Sequence, residues 1–177
     1  SFDGLSADIG MTPHKSPSVF NFYQADFSPP GLVEDAGLVA PEATLATAPY
    51  ILGFLNGVNS LIERGLTPCS GCFGQDCVTP PRGVPDYYGG VRAMGDGVLT
   101  FRPAGGDAAA VVAELDTLLT GGRLGGREAS FIARKYEAAL SAPEGSADDA
   151  LRTAQKLVAA SVAFHTTGRS EAPAGAD

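Results

Sequence analysis

The sequence predicts a mainly α protein of about four helices, joined by long Gly/Pro-rich loops and carrying at most a short strand or hairpin. Three observations carry that expectation. Apolar residues recur at helical spacing in several stretches between Tyr50 and Val162. Capping residues stand where those stretches start or stop: Asp107 and Ser146 at starts, Gly65 and the Gly121–Gly122 pair at stops. Glycine (23) and proline (13) together make about a fifth of the 177 residues, high for a helical protein, so long irregular connections must hold the surplus.

Taken in order, residues 1–40 read as an extended aromatic- and proline-rich arm. It holds Val19, Phe20, Phe22, Tyr23 and Phe27 in a segment punctuated by Pro17, Pro29, Pro30 and Gly31. An exposed apolar set of that size is unusual on a monomer, so these five residues are expected to be anchors, either on the chain's own core or on a partner. Pro41 suits the first position of a helix, and Glu42 suits its positive end. From Tyr50 the apolar positions Ile51, Phe54, Leu55, Val58, Leu61 and Ile62 predict a helix buried along one face. Pro49 kinks or restarts it, and Gly65 ends it. Gly53 and Gly57, one turn apart, either allow a close helix crossing or are merely tolerated.

Residues 66–96 read as an irregular loop holding all three cysteines, and Val98–Phe101 as a short strand at most. Asp107 is expected to cap a helix with the stripe Val111, Val112, Leu115, Leu118 and Leu119, closed by Gly121–Gly122. A second helix spans about Arg127 to Leu140, with Ile132, Tyr136 and Leu140 in register. Ser146 and Asp149 predict a capping box for the last helix, whose core face is Leu151, Ala154, Leu157, Val158 and Val162. The organisation is therefore an arm (1–40), a helical domain (41–168) with its cysteine loop, and an acidic tail (169–177).

Composition excludes several function classes. Twelve Lys+Arg against twenty Asp+Glu give a formal charge of −8, and no dense basic run offers itself to nucleic acid or an anionic membrane. No apolar run approaches the length needed to cross a bilayer, which leaves peripheral association with a membrane complex open. His14 and His165 are the two histidines, so a catalytic triad would have to use one of them with Ser16, Ser18 or Ser170. No G-x-S-x-G elbow exists to expose such a serine. His165 instead follows an apolar stripe at a helix C-terminus, where the last carbonyls need donors, and Thr166 and Thr167 fit the same local role. Asp3, Asp8, Asp35, Asp86 and Asp96 lack the alternation that wraps one calcium ion and read as acidic surface. The glycine pairs at 105–106, 121–122 and 125–126 flank helix ends and read as caps. No catalytic residue and no cofactor is expected.

Cys69-x2-Cys72-x4-Cys77 is the one cluster with ligand-like spacing. A structural zinc site needs four ligands, and the next residue in register, Arg82, cannot ligate. His14, His165 or Asp76 would have to close the site from elsewhere. The favoured reading is one disulfide and a leftover thiol, ahead of three free thiols or a bound metal. Cys72–Cys77 or Cys69–Cys77 is preferred because a two-residue gap closes a tight ring, and the pairing itself stays open. The odd cysteine could bridge to another chain.

The motifs PSVFNFY, SPPG and AGLVAPE, the helix ending ILGFLNG, ELDTLLTGGRL, and the closing ALRTAQKLVAASVAFHTTG together resemble the C-terminal part of an exported bacterial family, domain-of-unknown-function family 1800. The likeness runs from about Met11 to Gly168, while the Cys69–Cys77 loop and the acidic tail have no counterpart in it. It implies a mostly helical, exported protein and brings neither an activity nor catalytic residues. Family members are much longer, and the chain opens on Ser1, so a mature form or a piece of a longer precursor is expected.

Three functions are compatible with these residues. The first is a non-catalytic structural or interaction subunit of a larger exported or lumenal assembly, binding partner chains through the aromatic arm. The second is the C-terminal fragment of an exported enzyme whose catalytic residues lie further N-terminal. The third is a small metal-binding module built on the cysteine loop. Stoichiometric co-migration with other chains marks the first, a second polypeptide from the same precursor the second, and zinc or iron at one per chain the third.

Overall fold

In a computed structural model of the chain, the described residues are 9–12, 14–65, 99–105 and 107–167. They are mainly helical, with no strand among them. The chain divides into two compact units, Ser1–Val98 and Leu99–Asp177, and the boundary lies inside the 41–168 span.

In the first unit the arm turns repeatedly before a short helix, α1 (Leu32–Asp35). Gly37, at positive φ, closes α1 in a Schellman pattern: the Gly37 N–H donates to Glu34 O (2.9 Å) and the Leu38 N–H to Val33 O (3.0 Å). Pro41 does start a helix, but it is a single 3₁₀ stretch, Pro41–Leu45. The chain restarts at Thr47, in extended conformation, and runs through α2 (Ala48–Arg64) with Pro49 in its first turn. Proline costs little there, since the first N–H groups of a helix have no intrahelical partner. Gly65 ends α2 at positive φ, its N–H donating to Leu61 O (2.8 Å).

The α2 stripe is less buried than its periodicity suggests. Ile62 and Gly57 are buried, Phe54, Leu55, Val58 and Leu61 are half-buried, and Ile51 is exposed. Gly10 sits where any side chain would collide: a Cβ there would stand 2.7 Å from the Tyr50 ring and 2.9 Å from Leu45, at a φ of +79°. Its lack of a side chain lets residues 9–12 lie against the start of α2.

The second unit holds the hydrophobic core. Helices α3 (Ala108–Thr120), α4 (Gly126–Leu140) and α5 (Ala147–Ala159) pack on one another, and a short α6 (Val162–His165) packs on α5 and α3. Val111, Val112, Leu115, Ile132, Leu151, Ala154 and Val158 form one buried cluster. Leu99–Phe101 is irregular rather than a strand. Phe101 packs on that cluster, and the Ala104 N–H donates to Glu114 Oε2 (3.0 Å), so the segment lies along α3 through a side chain and one hydrogen bond.

The caps follow the sequence closely. Asp107 Oδ1 accepts the Ala110 N–H (2.9 Å) at the start of α3. Replacing Asp107 with Ala should therefore cost about 1 kcal/mol, read as a lower denaturation midpoint at unchanged slope. An unchanged midpoint would sink the capping role. At α4 the N-cap is Gly125, which has no side chain, so only half a capping box forms: Glu128 Oε2 accepts the Gly125 N–H (3.2 Å). At α5 the Ser146 Oγ accepts the Asp149 N–H (3.1 Å), while the Ser146 hydroxyl donates to the Asp149 carboxylate (2.6 Å).

In the second unit, four apolar stripe positions depart from their expected burial. Leu118, Leu119, Leu140 and Val162 are exposed, whereas Ala150, Ala159 and Ala163 are buried. For Val162 the reason is a break. The last predicted helix stops at Ala159, Ser161 turns the chain with its hydroxyl donating to Val158 O (2.7 Å), and α6 starts afresh, which brings Ala163 inward in place of Val162.

Candidate interaction surface

The arm's shape comes from local turns. The Ser16 hydroxyl donates to Ser18 O (3.0 Å), and the Ser18 hydroxyl accepts the Phe20 N–H (3.2 Å). The Asn21 N–H returns to Ser18 O (3.3 Å), with Asn21 itself in left-handed conformation at φ +73°. Side chain-to-backbone bonds of this kind favour turns over helix. They hold Val19 and Phe20 at the tip of a tight bend. Further on, the Phe27 N–H donates to Gln24 O (3.1 Å), and the Tyr23 and Phe27 rings stack at 5.8 Å with a 22° tilt. The Ser28 hydroxyl clasps Leu38 O (2.8 Å), tying the two ends of the α1 segment together.

The five expected anchors do not share one environment. Val19 is 95% exposed and Phe20 76%, so neither anchors the arm on the chain's own core. Phe22 and Tyr23 are half-buried, and Phe27 sits just on the exposed side. Between them lies an open, mainly apolar concavity of about 780 Å³, lined by Met11, Phe20, Phe22, Tyr23 and Pro41, with Glu42 the acidic side chain at its wall. Leu32, Leu38 and Val39 add exposed apolar surface on the neighbouring segment. The bend at Ser18–Asn21 accounts for the exposure: local hydrogen bonds fix the tip and hold Val19 and Phe20 outward.

The other candidate residues are placed as follows. His14 is exposed and in left-handed conformation (φ +62°), while Ser16 and Ser18 belong to the turn just described. His165 Nε2 lies 2.9 Å from Ala159 O, the last carbonyl of α5. A carbonyl only accepts, so that nitrogen carries the hydrogen and the ring caps the helix. Thr166 caps α6 in the same way, its hydroxyl donating to Val162 O (3.0 Å). Asp35 belongs to α1. Among the described residues, no group of three or more His, Cys, Asp or Glu side chains could hold a metal ion. Cys69, Cys72 and Cys77 lie outside the described residues, as do Asp3, Asp8, Asp76, Asp86, Asp96, Ser170 and the 169–177 tail. No described helix is long and apolar enough to cross a membrane.

A polar device in the second unit escapes any reading of periodicity. Asp116 Oδ1 accepts the Leu124 N–H (3.0 Å) and also the Thr120 hydroxyl, and Thr120 Oγ1 in turn accepts the Arg123 N–H (3.2 Å). Arg123 then reaches α6, its Nη2 donating to Ala163 O (3.0 Å) and Thr166 O (2.9 Å). The DTLLTGGRL stretch is thus a turn wired by its own side chains, whose arginine satisfies two carbonyls at α6. The role is architectural.

Comparison with family models, with curated proteins and with solved structures returns no match for this chain.

Proposed function

We propose that the chain is a non-catalytic structural or interaction subunit of a larger assembly, engaging partner protein chains through its aromatic arm. One observation carries this reading: Val19 and Phe20 stand in solvent on a hydrogen-bonded bend beside an open concavity lined by Met11, Phe22 and Tyr23. Contiguous exposed apolar surface of this kind marks interaction sites in soluble proteins. Aromatic residues are the side chains that dominate binding energy once desolvated. The same proposal places the chain in an exported compartment, extracellular, periplasmic or lumenal, and with the domain-of-unknown-function family 1800. That part rests on the motifs from PSVFNFY to FHTTG and on three cysteines within nine residues, which suit an oxidising environment.

The test is native purification followed by reassembly with the Phe20→Ser variant. The bend is held by backbone and serine groups, so the variant should keep its denaturation midpoint within about 0.5 kcal/mol, as surface substitutions do. Co-migration with the partner chain should weaken by at least tenfold, a loss of about 1.4 kcal/mol or more. Wild-type-like co-migration of the variant, or a native chain that purifies alone, overturns the reading.

A further inference from the structure

The outward face of α4 carries a second, chemically different surface. Arg127, Phe131, Arg134 and Lys135 fall at i, i+4, i+7 and i+8, one side of the helix, and all four are exposed. Phe131 is 44% exposed, with the Arg134 guanidinium 6.0 Å and the Lys135 ammonium 5.5 Å from its ring centroid. These are cation–π distances, so the two cations and the ring form one preorganised group. No carboxylate among the described residues lies within ion-pair distance of Arg127, Arg134 or Lys135. Glu128, on the same helix, is turned back on the Gly125 N–H (3.2 Å). In a chain of formal charge −8, three cations on the helix side that carries an exposed aromatic ring, none in an ion pair among the described residues, are a local reversal of sign.

We infer that this α4 face is a docking surface for an acidic segment of a partner protein, with carboxylates on Arg127, Arg134 and Lys135 and an apolar side chain against Phe131. Charge complementarity selects the occupant. The arginine forks match carboxylates in bidentate geometry, and the Phe131 ring holds Arg134 and Lys135 beside it at cation–π distance. An anionic membrane is the weaker match, because lipid surfaces are recognised by about 4–8 clustered Lys/Arg and this face has three. The chain's overall negative charge also repels an extended anionic surface. A short acidic segment meets the patch within roughly the 8 Å over which charges are felt at physiological salt.

The experiment uses the full chain and a fluorescein-labelled peptide of Glu, Asp and Phe, followed by fluorescence anisotropy. A control peptide has Gln and Asn for Glu and Asp, and vesicles of phosphatidylserine and phosphatidylcholine form a third arm. The expected result is saturable binding of the acidic peptide that weakens as salt rises and is absent for the control. The double variant R134E/K135E should bind at least about tenfold more weakly, and Phe131→Ala should weaken binding at unchanged salt dependence. Circular dichroism establishes that both variants remain folded, and Phe20→Ser should bind as the unaltered chain does, which separates this surface from the arm. Equal affinity for R134E/K135E, equal binding of the neutral peptide, or binding to vesicles with none to the peptide overturns the inference.

Discussion

Replacing Leu115 with Ala is expected to destabilise the second unit by about 3–5 kcal/mol, the upper part of the range for removing a buried leucine. Leu115 is 1% exposed and sits inside the cluster of Val111, Val112, Ile132, Leu151, Ala154 and Val158. Three helices meet around it, so the cavity cannot close by moving one side chain, and the lost contacts add to the lost transfer energy. A loss of that size is a large fraction of the stability of any small domain. The measurement is denaturant unfolding, where the midpoint should fall at constant slope. Leu118 supplies the control. It belongs to the same apolar stripe, yet it is 60% exposed, and Leu118→Ala should change stability by less than about 0.5 kcal/mol. Equal losses for the two leucines would show that the cluster is not the core.

The second large effect is expected at Asp116. Its carboxylate accepts the Leu124 N–H at 3.0 Å and the hydroxyl of the buried Thr120, and through Thr120 it sets the course of the chain to Arg123. Asp116→Ala should cost about 2–3 kcal/mol, because a charge-assisted bond is lost and the Leu124 N–H is left without its acceptor. The Thr120 hydroxyl retains Asp116 O at 2.9 Å, which limits the damage. Asp116→Asn keeps an oxygen in place and should cost about 1 kcal/mol. Hydrogen exchange gives the specific readout: the Leu124 amide should lose protection in the alanine variant and keep much of it in the asparagine variant. If Leu124 exchanges alike in the unaltered chain and both variants, Asp116 does not organise the turn.

The two surfaces make different demands on experiment. The arm is apolar, so its engagement should survive salt and fail on loss of a ring. The α4 face is ionic, so its engagement should fade with salt and fail on reversal of charge. Phe20→Ser and R134E/K135E thus report on separate contacts.

Much of the architecture was legible in the sequence because it is local. Asp107, Ser146 and Gly65 mark helix ends through hydrogen bonds that span three or four residues, and each does so in the structure. His165 follows the same local rule, and its bond to Ala159 O spans only six residues. The one signal that the DTLLTGGRL turn left in the sequence was the pairing of Asp116 with Thr120 four residues on, beside two glycines. Periodicity looks only at apolar residues and passes over it. The α4 patch leaves as faint a trace in the sequence. Its cations are three residues spread over nine, and only the helix gathers them on one side.

By itself, then, the sequence determined the helical class, several of the helix ends and the acidic balance, since these depend on neighbours along the chain and on composition. Tertiary structure decided which member of each stripe is buried. Leu115 and Leu118 are alike in sequence pattern, and only the approach of α4 and α5 to one side of α3 separates them. It likewise decided that Arg123 would cap α6, some forty residues away, and that the bend at Ser18–Asn21 would leave Val19 and Phe20 in solvent. Burial is a relation between distant segments, and no local pattern contains the position of the second segment.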